Sequence, residues 1–311
     1  MPSEESDDAR ARVIVVGSIN IDLIVSVTGL PGPGETVIGG TFGQAPGGKG
    51  ANQAAAAATL GADTALVGMT GDDDFGRSAK DDLAQLGVDL SRVGTGANPT
   101  GVALIMVDER GENSIAVASG ANDELDAHSV VEAINALARD RTVVLANLEV
   151  PNEAVLAAAS TAQALGCSFV LNPAPARRLG WEMLRWCDVL TPNEHEASML
   201  GWASVDNLME QGVKAVVVTR GREGASLYRP NEPRYDQPAF PIDAVDTTGA
   251  GDAFSAALSW AIAQGRSLEE GVRLACGAGA LATRKVGARA SLPNAAELKD
   301  FVSNGSHSTL P

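Results

Sequence analysis

Histidine and cysteine are scarce in this chain. Its 311 residues hold three of each: His128, His195 and His307, and Cys167, Cys187 and Cys276. No cluster of these residues with carboxylates has zinc spacing, which excludes a zinc centre of the usual kinds. His195 reads as an ordinary surface residue. The cysteines show neither metal nor redox spacing, and their odd number suits a reducing cytosol. Positive charge is also short: 23 Lys and Arg stand against 39 Asp and Glu, a net charge of −16. That balance argues against nucleic-acid or anionic-membrane partners. No apolar stretch approaches the roughly 20 residues of a membrane span. The acidic, polar segment 1–12 has the character of neither a signal peptide nor a transit peptide. A soluble cytoplasmic protein is expected.

Two nucleotide-binding patterns are missing as well. No Gly-x-Gly-x-x-Gly follows the first strand-like run, which argues against a dinucleotide-binding fold. Gly43 to Lys49 fits most of a P-loop, but Gly50 stands where a Ser or Thr should hold magnesium, and no buried strand is expected before it. The P-loop is rejected.

What is present is an alternation of strand and helix. With 45% hydrophobic residues the chain can bury a large core. Strands are predicted over 13–17, 64–70, 142–148, 168–171 and 214–219, and helices over 51–60, 127–138, 153–165, 205–211, 253–263 and 268–284. Repeated units of this kind imply a parallel sheet covered by helices on both faces, with the site beyond the carboxyl ends of the strands. Two segments break the rhythm, 35–42 and 101–119, the second turning at Asp108 to Gly111. They are read as antiparallel strands of a small lid sheet, which would keep water from a transferring group. Residues 1–11 and 303–311 are read as disordered tails flanking one domain over 12–302, with lid strands near 35–43 and 101–119.

The most informative segment is Asp246-Thr247-Thr248-Gly249-Ala250-Gly251-Asp252-Ala253-Phe254. Two glycines precede an apolar helix. A helix N-terminus offers unpaired N–H groups and the positive end of a dipole, so it can bind an anion. Gly249 and Gly251 would let a phosphate approach the backbone. Asp252, in the first turn, could then take a proton from an attacking hydroxyl. The same residues would also suit a tight turn followed by a helix with Asp near its start. The segment alone does not separate the two.

Nearer the N-terminus, Asn20 and Asp22 alternate in an extended segment, so their side chains share one face and could bind vicinal sugar hydroxyls. Gly47-Gly48-Lys49-Gly50-Ala51-Asn52 places a glycine turn, a Lys and an Asn at the start of the next helix. Turn-forming and capping roles are the alternatives here.

Together these motifs resemble those of the ribokinase-type carbohydrate kinase family. The resemblance rests on Gly17 to Asp22, Gly47 to Gln53 and Asp246 to Asp252. Asn172-Pro-Ala-Pro, Thr191-Pro-Asn193-Glu-His-Glu196 and Thr219-Arg-Gly221 follow in the family order, so that it spans about 12–293. It implies an α/β fold, the ribokinase-like three-layer sandwich with a mostly parallel central sheet and a small β-sheet lid. Gly111 to Ile115, Gly120-Ala-Asn122 and Asn147-Leu-Glu149 resemble ribokinases more than fructokinases or adenosine kinases. The implied reaction is transfer of the γ-phosphoryl of ATP to the 5-hydroxyl of D-ribose.

The resemblance also implies roles. Asp252 would be the general base, and the backbone of Gly249, Ala250 and Gly251 the anion hole. Asn20, Asp22, Gly48, Lys49, Asn52 and Glu149 would hold the sugar, although a loop Lys is more usually solvated. Asn193, Thr219 and Gly221 would meet the nucleotide, with Glu196 organising Mg2+ through water. Asn193 could instead cap a helix, and Thr219 and Gly221 could simply end a strand. A monovalent-cation site for K+ would fall at Asp246, Thr248, Ala282, Lys285, Gly287 and Ser291, mainly through backbone oxygens. Where similar chains carry an Asn near the adenine, 274–278 has none, so looser nucleotide selectivity is expected. The lid strands, with Val102, Leu104 and Met106 in alternation, are expected to pair with a second copy as a homodimer. A kinase of another sugar or of a nucleoside, and a catalytically silent sugar-binding regulator, are the rival functions.

Overall fold

The first strand, β1 (Arg12–Val16), is buried along its whole length. Val13 and Val15 enter one apolar layer, and Ile14 and Val16 enter another, as the two-residue period of a strand requires. Fully burying one such side chain is worth roughly 1.5–3 kcal/mol. The structure is a computed structural model, in which residues 11–202 and 204–305 are described.

After β1 come β2 (Asn20–Val27), β3 (Thr41–Gly47), α1 (Lys49–Thr59), β4 (Asp63–Thr70), α2 (Asp74–Gln85) and β5 (Asp89–Thr95). A hairpin, β6 (Gly101–Asp108) and β7 (Asn113–Ala118), is followed by α3 (Ala127–Leu137), β8 (Thr142–Ala146), α4 (Asn152–Ala164) and β9 (Ser168–Leu171). Short elements come next: α5 (Trp181–Leu184), β10 (Val189–Leu190), α6 (Glu194–Met199), α7 (Val205–Glu210), β11 (Ala215–Thr219), β12 (Ala225–Tyr228) and β13 (Tyr235–Gln237). Three helices, α8 (Ala250–Ala263), α9 (Leu268–Ala282) and α10 (Ala295–Asn304), complete the described chain.

The main sheet runs β13-β12-β11-β10-β9-β8-β1-β4-β5. Neighbours from β11 to β5 are parallel, and only β12 and β13 add antiparallel pairs. Helices α1, α2, α8, α9 and α10 cover one face, and α3 and α4 the other. This is the expected three-layer sandwich. Alanine makes the packing close: α1 carries an unbroken Ala54–Ala58 run and lies against α8. Local signals set the helix limits. Asp73, Asp126, Ser267 and Asn294 cap α2, α3, α9 and α10 through their side chains. Gly265, at φ 74°, ends α8.

A second sheet, β3-β2-β6-β7, forms the lid. It is rooted in the core, because β2 starts four residues after β1 ends. The hairpin turns where expected: the Asp108 carboxylate accepts from Arg110 N at 2.8 Å and Glu112 N at 3.0 Å.

Several elements differ from expectation. The strand expected over 35–42 lies instead at Thr41–Gly47. Pro31, Pro33, Gly34, Gly39 and Gly40 keep the preceding stretch irregular, and pairing with β2, from Asn20↔Gly47 to Ser26↔Thr41, sets the register. β2, read only as an extended segment, is a full lid strand. α2, β5, β12, β13 and α10 were not expected; α2 buries only Gly76, Ala79 and Leu83, too few for a strong apolar period. Ala11, placed in the leading tail, is buried, and α10 runs to Asn304, past the boundary at 302. The remaining tail residues, 1–10 and 306–311, lie outside the described residues. No helix among the described residues is long and apolar enough to cross a membrane.

Candidate active site

Each of three neighbouring core strands is followed at its carboxyl end by a buried polar residue: Asn147 after β8, Asn172 after β9 and Thr191 after β10. Gly17 and Ser18 follow β1 in the same row. Helix α1 is pressed onto this row by glycine. A Cβ on Gly50 would lie 2.4 Å from Gly17 C, and one on Gly17 would lie 2.2 Å from Asn147 Nδ2. Gly48, at φ 84°, turns the chain from the lid strand into the helix. The first turn of α1 thereby carries Lys49, Asn52 and Gln53 onto the strand ends. Asn52 lies inside the helix, and the N-cap is Gly48, so the capping alternative for Asn52 does not hold.

The opposite wall is the N-terminus of α8, where Gly249 is the N-cap in the left-handed region and Asp252 is buried in the first turn. Asp252 Oδ2 accepts from Asn52 Nδ2 and Oδ1 from Gln53 Nε2, each at 3.1 Å. Gln53 Nε2 also donates to Asn172 Oδ1 at 3.1 Å, and Asn172 Nδ2 to Thr191 O at 3.1 Å. Asn147 Nδ2 reaches Gln53 Oε1 at 3.3 Å. A buried network of neutral amides therefore orients one carboxylate. Burial pushes the Asp252 carboxyl above its ordinary value, and Glu149 adds to that; Lys49, Asn52 and Gln53 oppose it. Lys49 is half-buried, and Asp252 raises its pKa, against burial and with help from Glu149 and Glu196. The Lys49 ammonium thus feels the carboxylates of Asp252 and Glu149 more strongly than its own desolvation.

The lid supplies the other polar groups. Asn20 is buried on β2, and its Oδ1 accepts from Asn122 Nδ2 at 2.7 Å. Asp22, two residues on, shares its face and packs so close to Gly47 that a Cβ there would sit 2.1 Å from Asp22 Oδ1. Burial, then Glu149, push the Asp22 carboxyl up to about 6, with Arg289 opposing and Asp252 adding. Glu149 Oε2 accepts from Ser18 Oγ and, at 2.9 Å, from Lys49 N, the first N–H of α1.

At the segment expected to form the anion hole, Ala250 N–H donates to Thr247 O at 3.2 Å. No hydrogen bond among the described residues engages the N–H of Gly249 or Gly251, so these two donors are open.

The expected nucleotide residues lie at the next strand ends. Asn193 and Thr219 form a parallel bridge across the ends of β10 and β11, and exposed Gly221 turns the chain after β11 at φ 52°. Asn193 also caps α6 in a capping box: its Oδ1 accepts from Glu196 N and its N–H donates to Glu196 Oε2, both at 2.8 Å. The capping alternative therefore holds for Asn193. The box uses only Oε2 of Glu196, leaving Oε1 for a hydrated cation, so the pair fits outer-sphere magnesium.

The expected cation-site residues fall on two segments, 246–248 and 282–291, which meet where Val245 N and Asp246 N donate to Thr283 O at 2.8 and 3.1 Å. Asp246 Oδ1 accepts from Thr248 N at 2.9 Å and Thr248 Oγ1 at 2.7 Å, Asp246 Oδ2 accepts from Gly287 N at 2.8 Å, and Ser291 Oγ donates to Ala282 O at 2.7 Å. Lys285 is exposed, and among the described residues no hydrogen bond joins it to this cluster. One carboxylate among hydroxyls and carbonyls fits a large monovalent cation better than a small divalent one. No group of three or more His, Cys, Asp or Glu among the described residues could hold a metal ion.

The site contains residues that received no role from the sequence: Ser18, Gln53, Asn122, Asn147, Asn172 and Arg289. Asn147, Asn172 and Thr191 carried a signal, since each directly follows an apolar strand. Gln53 interrupts an alanine-rich helix. Arg289 carried none.

An αβα sandwich whose lid faces a glycine-opened helix with a buried carboxylate defines a class of small-molecule kinases. Residues 10–295 match the pfkB family carbohydrate kinases, and the chain belongs to that family. It is 38% identical over 304 residues to a ribokinase of Haemophilus influenzae, covering 94% of this chain and 99% of the relative. The ribokinase structure from Thermotoga maritima superposes with a TM-score of 0.85 at 32% identity, covering 94% of this chain and 99% of that one. The Arabidopsis thaliana ribokinase, solved with ribose and ATP, gives a TM-score of 0.83 at 32% identity over the same shares.

Proposed function

We propose that the protein transfers the γ-phosphoryl of ATP to the 5-hydroxyl of D-ribose, giving ribose 5-phosphate and ADP. The observation that carries this is Asp252: a buried carboxylate fixed by two amides, beside the open N–H groups of a helix N-terminus. Likeness to ribokinases over nearly the whole chain supports ribose as the sugar.

Asn20, Asp22, Gly48, Lys49, Asn52 and Glu149 line the sugar side and hold its hydroxyls. Asp252 accepts the proton of the 5-hydroxyl as that oxygen attacks the γ-phosphorus. The new O–P bond forms while the bond from the γ-phosphorus to the β–γ bridging oxygen breaks, and ADP leaves. The N–H groups of Gly249 and Gly251 face the developing charge. Ala250 joins them on giving up Thr247 O, and one such donor is worth about 3 kcal/mol. The amide network keeps Asp252 from rotating, so positioning and charge stabilisation supply the catalysis. Lys49 offsets the negative charge gathered by Asp252 and Glu149.

Asn193, Thr219 and Gly221 contact the nucleotide, and Glu196 would hold Mg2+ through water. When bound, Mg2+ would supply neutralisation of the β- and γ-phosphate oxygens. Asp246, Thr248, Ala282, Lys285, Gly287 and Ser291 would hold K+, which would supply positive charge near the anion hole. Absence of an Asn in 274–278 loosens donor selectivity, so other purine triphosphates serve alongside ATP. The enzyme acts in the cytoplasm as a homodimer joined through its lid strands, without nucleic-acid or membrane partners.

The test is ATP consumption with magnesium and potassium against pentoses, hexoses and nucleosides. Preferred turnover of ribose is expected. Preference for a nucleoside or another sugar overturns the ribose assignment, and binding without turnover on any of them marks a regulator.

A further inference from the structure

Arg289 lies in the loop between α9 and α10, yet its side chain is only 8% exposed. Its guanidinium joins three separate parts of the fold. Nε donates to Asn52 Oδ1 at 2.9 Å, Nη2 to Gly47 O at 3.1 Å, and Nη1 to Asp82 Oδ2 of α2 at 2.5 Å. Gly47 is the last residue of lid strand β3, and Asn52 is in the first turn of α1. The neighbouring Ala288 packs against Gly249, at the opening of the anion hole. One short loop therefore touches the lid root, the helix that carries the sugar-side groups and the helix that carries the base.

We infer that Arg289 is a positioning residue that fixes the orientation of the Asn52 amide and so aims Asp252. An amide side chain has one accepting and one donating end. Because Arg289 can only donate, it claims Asn52 Oδ1, and Asn52 Nδ2 must then face the Asp252 carboxylate. Flipped, the amide would set its oxygen against that carboxylate and a donor against a donor. A neutral partner such as water would impose no such choice. The planar fork also holds Gly47 O and Asp82 at fixed angles, which a lysine could not do. Asp82, at 43% side-chain exposure, anchors the guanidinium from the solvent side and touches none of the reacting groups.

The inference rests on the kinase reading but not on which sugar is used. The experiment is a double-mutant cycle on Arg289→Met and Asn52→Ala, with Arg289→Lys and Asp82→Asn alongside. It is read as kcat and KM for the sugar that wild type prefers, and separately as the Asn52 side-chain amide resonances of the free protein. Arg289→Met is expected to lower kcat/KM roughly 10- to 100-fold, the scale of a misplaced catalytic group, with KM for ATP unchanged. In the Asn52→Ala background it should lower it no further. Arg289→Lys should recover only part of the loss, and Asp82→Asn, whose amide oxygen can still accept from Arg289 Nη1, should stay near wild type. In Arg289→Met the Asn52 amide protons should lose their protection. Equal losses in both backgrounds, or an unchanged Asn52 amide in Arg289→Met, overturn the inference. A failure of the ribose assignment would appear instead as a changed sugar preference in wild type, with the amide resonances behaving as described.

Discussion

Gly249 and Ala288 approach so closely that a Cβ on the glycine would lie 2.7 Å from the alanine Cβ and 2.8 Å from its Cα. The glycine that opens α8 also sits at φ 77°, where a side chain is strained whatever the space. Gly251, two residues on in the first turn of α8, has nothing within 4 Å of where its Cβ would be.

The two glycines should therefore fail differently. Gly249→Ala should lower both stability, by roughly 1–3 kcal/mol, and turnover. Gly251→Ala should melt like wild type and yet lose turnover, because its methyl would stand in the phosphate approach. Thermal melts beside steady-state rates decide this. A fully active Gly251→Ala enzyme would remove that residue from the anion hole.

Asp252→Asn tests the base directly. The side chain keeps its shape, but an amide nitrogen would face the Asn52 or Gln53 donor that the carboxylate now accepts from. Loss of general-base catalysis should reduce kcat by roughly 10²–10⁴-fold, with ribose binding by calorimetry largely kept. Turnover within threefold of wild type, about 0.7 kcal/mol, would assign the proton to another acceptor.

Local requirements made this end of the site legible. Asp246 to Phe254 announces itself because a left-handed N-cap, a first-turn glycine and a first-turn carboxylate fall within four residues and have local causes. Alternation placed Asn20 and Asp22 on one face in the same way. The amides Gln53, Asn147 and Asn172 were half visible, as polar residues at the ends of apolar runs, but their mutual bonding depends on strand order, which spacing does not encode. Arg289 was invisible, since its partners at Gly47, Asn52 and Asp82 are more than 200 positions away. The lid strand expected at 35–42 shifted because pairing with β2, a tertiary choice, outweighed the local pattern.

Asp22 predicts a pH effect with a definite sign. Its pKa rises from 3.8 to about 6 in the folded protein, first through burial and next through Glu149. Between those values the folded state binds more proton than the unfolded chain, so this contribution to stability is full below 3.8 and is lost as pH rises through about 6. Asp22→Asn should therefore raise the melting temperature near pH 8, and this gain should shrink toward pH 5, roughly one unit below the folded pKa. If Asp22 holds sugar hydroxyls as proposed, ribose kcat/KM of wild type should fall below pH about 6, as its carboxylate is protonated. Equal melting shifts of the variant at both pH values would show that the charge of Asp22 is not what costs stability.

The lid carries the last prediction. Leu104, Ile115 and Val117 are 56%, 55% and 52% exposed, and they lie on the paired strands β6 and β7 with Leu104 opposite Ala116. Strand β7 is an edge strand, exposed along its length and paired on one side only. An apolar edge of that kind invites a second strand unless charge blocks it, and none of its six residues is charged. Wild type should sediment as a dimer at micromolar concentration, and Val117→Lys combined with Leu104→Lys should sediment as a monomer. Because β2 belongs to the same sheet and carries Asn20 and Asp22, the monomeric variant should also show a raised KM for ribose with little change in KM for ATP. A wild-type monomer would refute pairing through the lid, and a dimeric double variant would move the interface elsewhere.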